Sequence, residues 1–176
     1  VHGIPRRNRT LKDGDVVSID IGMRWGELVT DAAVTVGIGS VSSDAGRLIR
    51  ATQEALNAGI AVARPGATIG DIGHAVEMRL KKDNLGIIRD LAGHGVGYEL
   101  HEPPLIPNYG TAGKGIVLTE GMVIAIEPMA TLGGRRIVLD DDEWTFRTED
   151  HSIAAHFEHT IVVTKDGAEV LRAPGR

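Results

Sequence analysis

The spacing of apolar residues along the chain predicts two strands followed by two helices. Residues 15–23 (DVVSIDIGM) place apolar side chains at alternate positions, which indicates a β-strand, and residues 28–37 predict a second one. Apolar residues then recur at helical spacing over 43–63, and Pro65-Gly66 ends this helix. A second helix is predicted over 68–83, opened by Thr68 and Asp71 at the spacing of a capping box.

The second half of the chain is rich in strand signals. Apolar stretches predict strands over 122–130, 136–139, 153–164 and 169–171. Two helices set among mostly antiparallel strand signals indicate an α+β fold. The 176 residues are enough for one domain with its own core.

Composition and charge narrow the possible functions. The formal net charge is −5 and no basic stripe is present, which argues against direct nucleic-acid binding. No apolar run approaches the ~20 residues that a membrane span needs. Cysteine is absent, which suits a reducing cytoplasm and means that any metal site uses His, Asp and Glu.

Asp20 and Asp31 form the first candidate site. If the first two strands form a hairpin with Trp25-Gly26 at the centre of its turn, Asp20 lies directly opposite Asp31, with Cβ atoms ~5 Å apart. The two carboxylates would repel each other, and a bound divalent cation would turn this repulsion into attraction. Two solvated Asp residues on an exposed strand face are the alternative.

Two histidines follow in a glycine-rich part of the chain. The glycines of GHGVG, residues 93–97, let the backbone pass close to a ligand, and His94 is the one functional side chain among them. A phosphate-binding loop is a weaker interpretation, because neither Gly-Lys-Ser/Thr nor a helix signal follows. His101 begins HEPP. For either histidine alone, a hydrogen-bonded structural role is the alternative.

Two glutamates interrupt apolar strands. Glu127 lies in GMVIAIEPM and Glu158 in AAHFEHTIVV. Burying an unpaired carboxylate is costly, so a metal ligand or a catalytic base gives such a residue a physical reason to be there. For Glu127 the alternative is an exposed residue on an edge strand. His156 and His159 flank Glu158, and strand alternation turns His159 to the opposite face, which leaves it out of the predicted metal site.

Four carboxylates and one imidazole therefore make up the predicted ligand set. Mainly oxygen ligands with one imidazole suit a pair of cobalt, manganese, iron or zinc ions. Such a pair can generate a hydroxide nucleophile and bind both oxygens of a tetrahedral intermediate.

The order of the motifs resembles that of type I methionine aminopeptidases. The series is HGIP, the two aspartates, GHGVG, HEPP, AIEPM and FEHT, and it runs through essentially all 176 residues. The resemblance implies the pita-bread fold, a mostly antiparallel curved sheet with helices on its outer side. It also implies removal of the N-terminal methionine from nascent proteins, preferably when the second residue is small.

The resemblance implies five metal ligands that hold two divalent ions. Asp31 and Glu158 would bridge the ions. Asp20 would chelate the second ion, while His94 and Glu127 would bind the first.

Further residues would act on the substrate by the same resemblance. Glu127 would serve as the base towards the attacking water, and His101 would polarise the peptide carbonyl. His2 would contact the scissile amide and assist proton transfer to the leaving group. Trp144 and Leu100 would line the pocket for the methionine side chain.

Type II enzymes are excluded, and two alternatives to a type I enzyme remain. Type II enzymes carry a helical insertion between the last two glutamate ligands, and the 30 residues between Glu127 and Glu158 leave no room for it. Prolidases and X-Pro aminopeptidases share the ligand set, although HGIP and FEHT fit type I better. A non-catalytic pita-bread module that binds peptides, ribosomes or histones is the alternative from another class.

The resemblance begins at HGIP, whereas family members carry a further segment before it. We therefore expect residues 1–176 to be a single catalytic domain truncated on its N-terminal side, with apolar surface and strand edges left uncovered. All five ligands lie inside the chain, so metal binding should survive. The expected partners are the N-terminal methionine of nascent chains, the ribosome and the missing N-terminal half of the domain, all in the cytoplasm.

Overall fold

The first two strands form a long antiparallel hairpin in the computed structural model, which describes residues 1–171. Strands β1 (Val16–Trp25) and β2 (Leu28–Gly37) are joined by the two-residue turn Gly26-Glu27. Gly26 has a φ of 61°, and glycine at the first turn position suits a type II′ turn. The predicted strands are therefore present, and the turn centre lies one residue later than predicted.

This turn changes the partners of the two aspartates. Asp20 pairs with Ala33, and Asp31 pairs with Gly22, so the predicted direct pairing of Asp20 with Asp31 is wrong. A shift of two residues preserves which face of the sheet each side chain occupies. The two aspartates still share one face, as diagonal neighbours rather than direct partners.

The two predicted helices are confirmed. Helix α1 (Ser43–Val62) and helix α2 (Ile69–Lys81) pack against each other. The predicted capping box at the start of α2 is present: the Asp71 backbone N–H donates to Thr68 Oγ1 at 3.2 Å, and the Thr68 backbone N–H donates to Asp71 Oδ2 at 2.7 Å. These bonds satisfy backbone donors that a helix start otherwise leaves without partners.

The remainder of the described chain is mostly strand. The strands are β3 (Gly86–Ile87), β4 (Gly93–Gly95), β5 (Glu102–Ile106), β6 (Val123–Ile126), β7 (Met129–Thr131), β8 (Ile137–Leu139), β9 (Phe146–Thr148), β10 (Ala154–His156), β11 (Glu158–Thr164) and β12 (Gly167–Val170). The single strands predicted over 122–130 and 153–164 are wrong, since each is divided in two.

The strands form a main sheet with the order β1-β2-β11-β6-β4-β5, in which neighbours are antiparallel and β12 also pairs with β11. A second sheet has the order β10-β7-β3, and β8 pairs with β9. The helices pack on one side of the main sheet, where Leu56 of α1 and Ile72 of α2 join Ile124, Ile126 and Ile161 in the core. This arrangement confirms the α+β prediction, and it leaves the other side of the sheet for the candidate site.

The outer side of β1 is not covered by the helices. Its side chains Ile21, Met23 and Trp25 are 60%, 58% and 85% exposed. β1 is also the edge of the main sheet. Exposed apolar surface at a strand edge was expected from the sequence and is found here. In the described part of the chain, no helix combines the length and apolar character needed to cross a bilayer.

Candidate metal centre

The breaks in two predicted strands position the buried glutamates. Glu127 follows the last residue of β6, and Glu158 is the first residue of the adjacent strand β11. Pro128 has no N–H to continue the ladder, and its carbonyl instead accepts a 3.3 Å bond from the Phe157 N–H. The two segments therefore run side by side, and they bring two carboxylates from distant parts of the sequence to the same face.

Glu158 belongs to two overlapping groups of acidic and histidine side chains. Ligand atoms of Asp20, Asp31 and Glu158 lie within 4.8 Å of one another, and so do those of His94, Glu127 and Glu158. Pairing of Glu158 with Ala33 on β2 brings this glutamate next to both aspartates of the hairpin. The structure thus brings together all five predicted ligands, with one carboxylate common to both groups.

His94 is held on a strand that glycine allows to approach its neighbours closely. A Cβ on Gly93 would lie 2.3 Å from the carbonyl oxygen of Ala125. The Nδ1 atom of His94 is 2.8 Å from the Gly95 carbonyl oxygen; since a carbonyl only accepts, Nδ1 carries a proton, and the neutral form of the ring has its lone pair on Nε2. Nε2 lies 3.7 Å from Glu127 Oε1. This is the tautomer that a metal-binding histidine requires.

Burial and mutual repulsion shape the charges of the site. Burial raises the pKa of Glu127 to about 8. Burial, assisted by repulsion from Glu127 and Asp31, raises the pKa of Glu158 to about 10. Burial also raises the pKa of Asp31, whereas a hydrogen bond from His2 lowers that of Asp20. Without a cation, the two buried glutamates therefore hold protons near neutral pH.

The residues present fit divalent metal ions. Oε1 of Glu158 is buried and has no hydrogen-bond partner within residues 1–171. The ion pairs of Asp20, Asp31 and Glu127 in the same range are with histidines. A divalent cation would replace repulsion among these carboxylates by attraction. Carboxylate oxygens with an imidazole nitrogen are a suitable donor set.

Two further predicted histidines lie beside the acidic cluster. His101 is exposed, and its ring centroid is 4.4 Å from that of His94. Nε2 of His2 lies 3.1 Å from Asp20 Oδ2. The Phe146 backbone N–H donates to the His2 carbonyl oxygen at 3.0 Å, which fixes the start of the chain against β9. Both histidines therefore face the same site from different elements.

The two residues predicted for the methionine pocket differ in their surroundings. Leu100 packs over Gly22: a Cβ added at Gly22 would lie 3.1 Å from Cδ1 of Leu100. Gly22 pairs with Asp31, so Leu100 borders the acidic cluster. Trp144 is 64% exposed in the turn that precedes β9. Its place in a substrate pocket stays a prediction.

His156 is a site residue whose role the sequence pattern left open. Its side chain is 1% exposed, and its Nε2 lies 3.3 Å from Glu127 Oε2. His156 lies two residues before Glu158 on an extended segment, so both side chains point to the same face of the sheet. This spacing is the feature of the sequence that could have identified His156 as a site residue. His159 pairs with Ala32, on the opposite face of the sheet, as alternation predicts. His74 lies exposed on α2.

Comparisons with known proteins agree with this geometry. A sequence model of metallopeptidase family M24 matches residues 1–165. The methionine aminopeptidase of Mycoplasma capricolum is 49% identical over 172 residues, which are 97% of this chain and 68% of that protein. The crystal structure of methionine aminopeptidase from Thermotoga maritima is similar with a TM-score of 0.94 and 46% identity, over 96% of this chain and 68% of that one.

The chain also resembles a prolidase, but less closely than it resembles the methionine aminopeptidases. The prolidase of Pyrococcus furiosus has a TM-score of 0.74 and 27% identity, over 96% of this chain and 44% of that one. The identity and the superposition both favour the methionine aminopeptidases, and they confirm the predicted pita-bread fold. On this sequence match, strand order and cluster of acidic side chains, the chain belongs to metallopeptidase family M24, among its methionine aminopeptidases.

Proposed function

We propose that this chain hydrolyses the peptide bond after an N-terminal methionine, with two divalent metal ions bound to its acidic cluster. The observation that carries the proposal is the presence of two ligand groups that share Glu158. His94 and Glu127 would hold one ion with Glu158, and Asp20 and Asp31 would hold the other. Cobalt, manganese, iron and zinc all suit these ligands, and the bound ions would supply electrophilic activation of water and of the peptide carbonyl.

The chain's own residues would orient the substrate and move protons. Glu127 would act as the general base towards the attacking water, since its carboxylate lies in the acidic cluster with Oε1 3.7 Å from His94 Nε2. His101 is exposed beside His94 and would donate a hydrogen bond to the carbonyl oxygen of the scissile bond. His2 would serve the leaving amide nitrogen. Leu100 borders the cluster and would contact the methionine side chain.

The physiological substrates would be nascent chains with a small second residue, and the activity would then lie in the cytoplasm near the ribosome. The Mycoplasma capricolum and Thermotoga maritima relatives, both methionine aminopeptidases, support this substrate class.

The test is hydrolysis of a Met-Ala-Ser peptide by the metal-loaded chain. We expect release of free methionine, a fall in kcat of about 100-fold in His101→Ala, and a similar or larger loss in Glu127→Gln. His74→Ala is the matched control, since His74 is exposed on α2 and should leave activity unchanged. Cleavage of an X-Pro dipeptide in preference to Met-Ala-Ser would refute the assignment, and so would equal activity in all variants.

A further inference from the structure

His156 lies next to two predicted metal ligands and belongs to neither of the ligand groups that share Glu158. Its Nε2 is 3.3 Å from Glu127 Oε2, and its Nδ1 is 3.8 Å from Asp20 Oδ2. Within residues 1–171 neither ring nitrogen makes an aligned hydrogen bond, although Nε2 is within hydrogen-bonding distance of Glu127 Oε2. Buried polar atoms normally have partners, so this imidazole needs a role beyond filling space.

The backbone of His156 is fixed by a buried threonine. The His156 N–H donates to Thr35 Oγ1 at 2.8 Å, and the Thr35 hydroxyl donates to the His156 carbonyl oxygen at 2.7 Å. Strand β10 pairs His156 with Met129, two residues after Glu127. The ring is therefore brought to Glu127 by the same pairing of segments that brings Glu127 and Glu158 together.

The two oxygens of Glu127 face different imidazoles. Oε1 lies 3.7 Å from Nε2 of His94, a predicted metal ligand. Oε2 faces His156 instead. The carboxylate thus has one oxygen directed to the metal centre and the other directed to a side chain buried behind it.

We propose that His156 is a positioning residue, in which the imidazole donates Nε2–H to Glu127 Oε2 and so presents Oε1 to a divalent ion. This role rests on the proposed function, because Glu127 needs to be a metal ligand. The Nε2–H tautomer follows from the geometry, since Glu127 is nearer to the ring than Asp20 is. A partner behind a metal ligand fixes the orientation of that ligand and raises its affinity for the metal.

An imidazole carries at least one N–H in either protonation state, so the buried ring can donate to Glu127 Oε2. Direct coordination is the competing role, since His2, Glu127 and His156 also place ligand atoms within 4.8 Å of one another. The two roles differ in the number of ions bound.

The experiment compares Co²⁺ binding by the full chain and by His156→Gln and His156→Leu. Binding is followed by calorimetry and by the visible absorption of bound Co²⁺. We expect His156→Leu to bind about 10- to 100-fold more weakly, with a changed Co²⁺ spectrum, because Glu127 loses its second partner. His156→Gln keeps an N–H donor of similar reach and should restore the wild-type spectrum and most of the affinity. His74→Leu, on an exposed helix face, is the matched control.

Three results would overturn the positioning role. One is equal affinity and an unchanged spectrum in all variants, and a second is equal loss in the Gln and Leu variants. The third is an additional equivalent of Co²⁺ that binds to the wild type and to neither variant, which would make His156 a ligand. If His156→Leu does not fold by circular dichroism, His156→Asn replaces it, because the shorter amide does not reach Glu127. Peptide hydrolysis is measured separately, so failure to release methionine remains distinct from these results.

Discussion

Metal binding to this chain should release protons, because two of the predicted ligands are protonated in the metal-free protein. Burial raises the pKa of Glu158 to about 10 and that of Glu127 to about 8. Both glutamates would bind metal as carboxylates, so each would lose its proton when an ion binds. At pH 7 we therefore expect the release of about two protons per chain on saturation with Co²⁺.

The direction of the pH dependence follows from the same two groups. Below the raised pKa values, protons compete with the metal, so the apparent affinity rises with pH. The apparent association constant for the metal should rise about 100-fold per pH unit below pH 8. Between pH 8 and 10 it should rise about 10-fold per pH unit, because only Glu158 still holds a proton there. Above pH 10 the affinity should no longer change through these groups.

Calorimetry in two buffers of different protonation enthalpy measures the proton count directly. Glu158→Gln cannot release a proton at this position and should lower the count by about one, along with its weaker binding. Glu120→Gln is the matched control, since Glu120 is an exposed glutamate in a turn. A release of less than about half a proton by the wild type at pH 7 would refute the buried, protonated state of the two glutamates.

Three further predictions concern the stability of the metal-free chain. Leu56→Ala removes a side chain that is 1% exposed and should lower the free energy of unfolding by about 2–5 kcal/mol in a urea titration; a loss below about 1 kcal/mol would contradict its core position. Thr68→Ala removes the acceptor of the Asp71 N–H and should cost about 1 kcal/mol in the same assay, whereas no change would argue against the capping box. Burial raises the pKa of Glu127 and Glu158 above the ordinary 4.5, so the folded chain keeps protons that the unfolded chain releases. The Tm should therefore fall as pH rises from about 5 towards 8 and above. A Tm that rises over this range would contradict the prediction.

Much of the fold follows from local patterns in the sequence. Alternation and helical spacing locate the hairpin strands and both helices. In β2 and the helices the period reflects a single buried face, whereas most apolar side chains of β1 are exposed. The register of the hairpin depends instead on which residue adopts a positive φ, and Gly26 does so at the first turn position. This one-residue difference moved Asp20 from Asp31 to Ala33 while its face was preserved.

Other features depend on contacts between distant segments. Strand β4 consists of Gly-His-Gly, a sequence with low strand propensity, and it forms because β5 and β6 pair with it on either side. The breaks beside Glu127 and Glu158 require Pro128 and Phe157 to meet. The two glutamates of the candidate site could be predicted from their cost in an apolar stretch, whereas the contact between His156 and Glu127 needed the folded arrangement.

The edge strand β1 is where we expect the chain to associate with itself at high concentration. Within residues 1–171, β1 pairs only with β2, so backbone N–H and C=O groups along its other side can pair with another strand, and the side chains of Ile21, Met23 and Trp25 are exposed. We therefore expect this edge, rather than the acidic cluster, to limit the solubility of the chain. Lysine in place of Met23 should improve solubility, and a polypeptide that covers the hairpin should do so without any change to the acidic cluster.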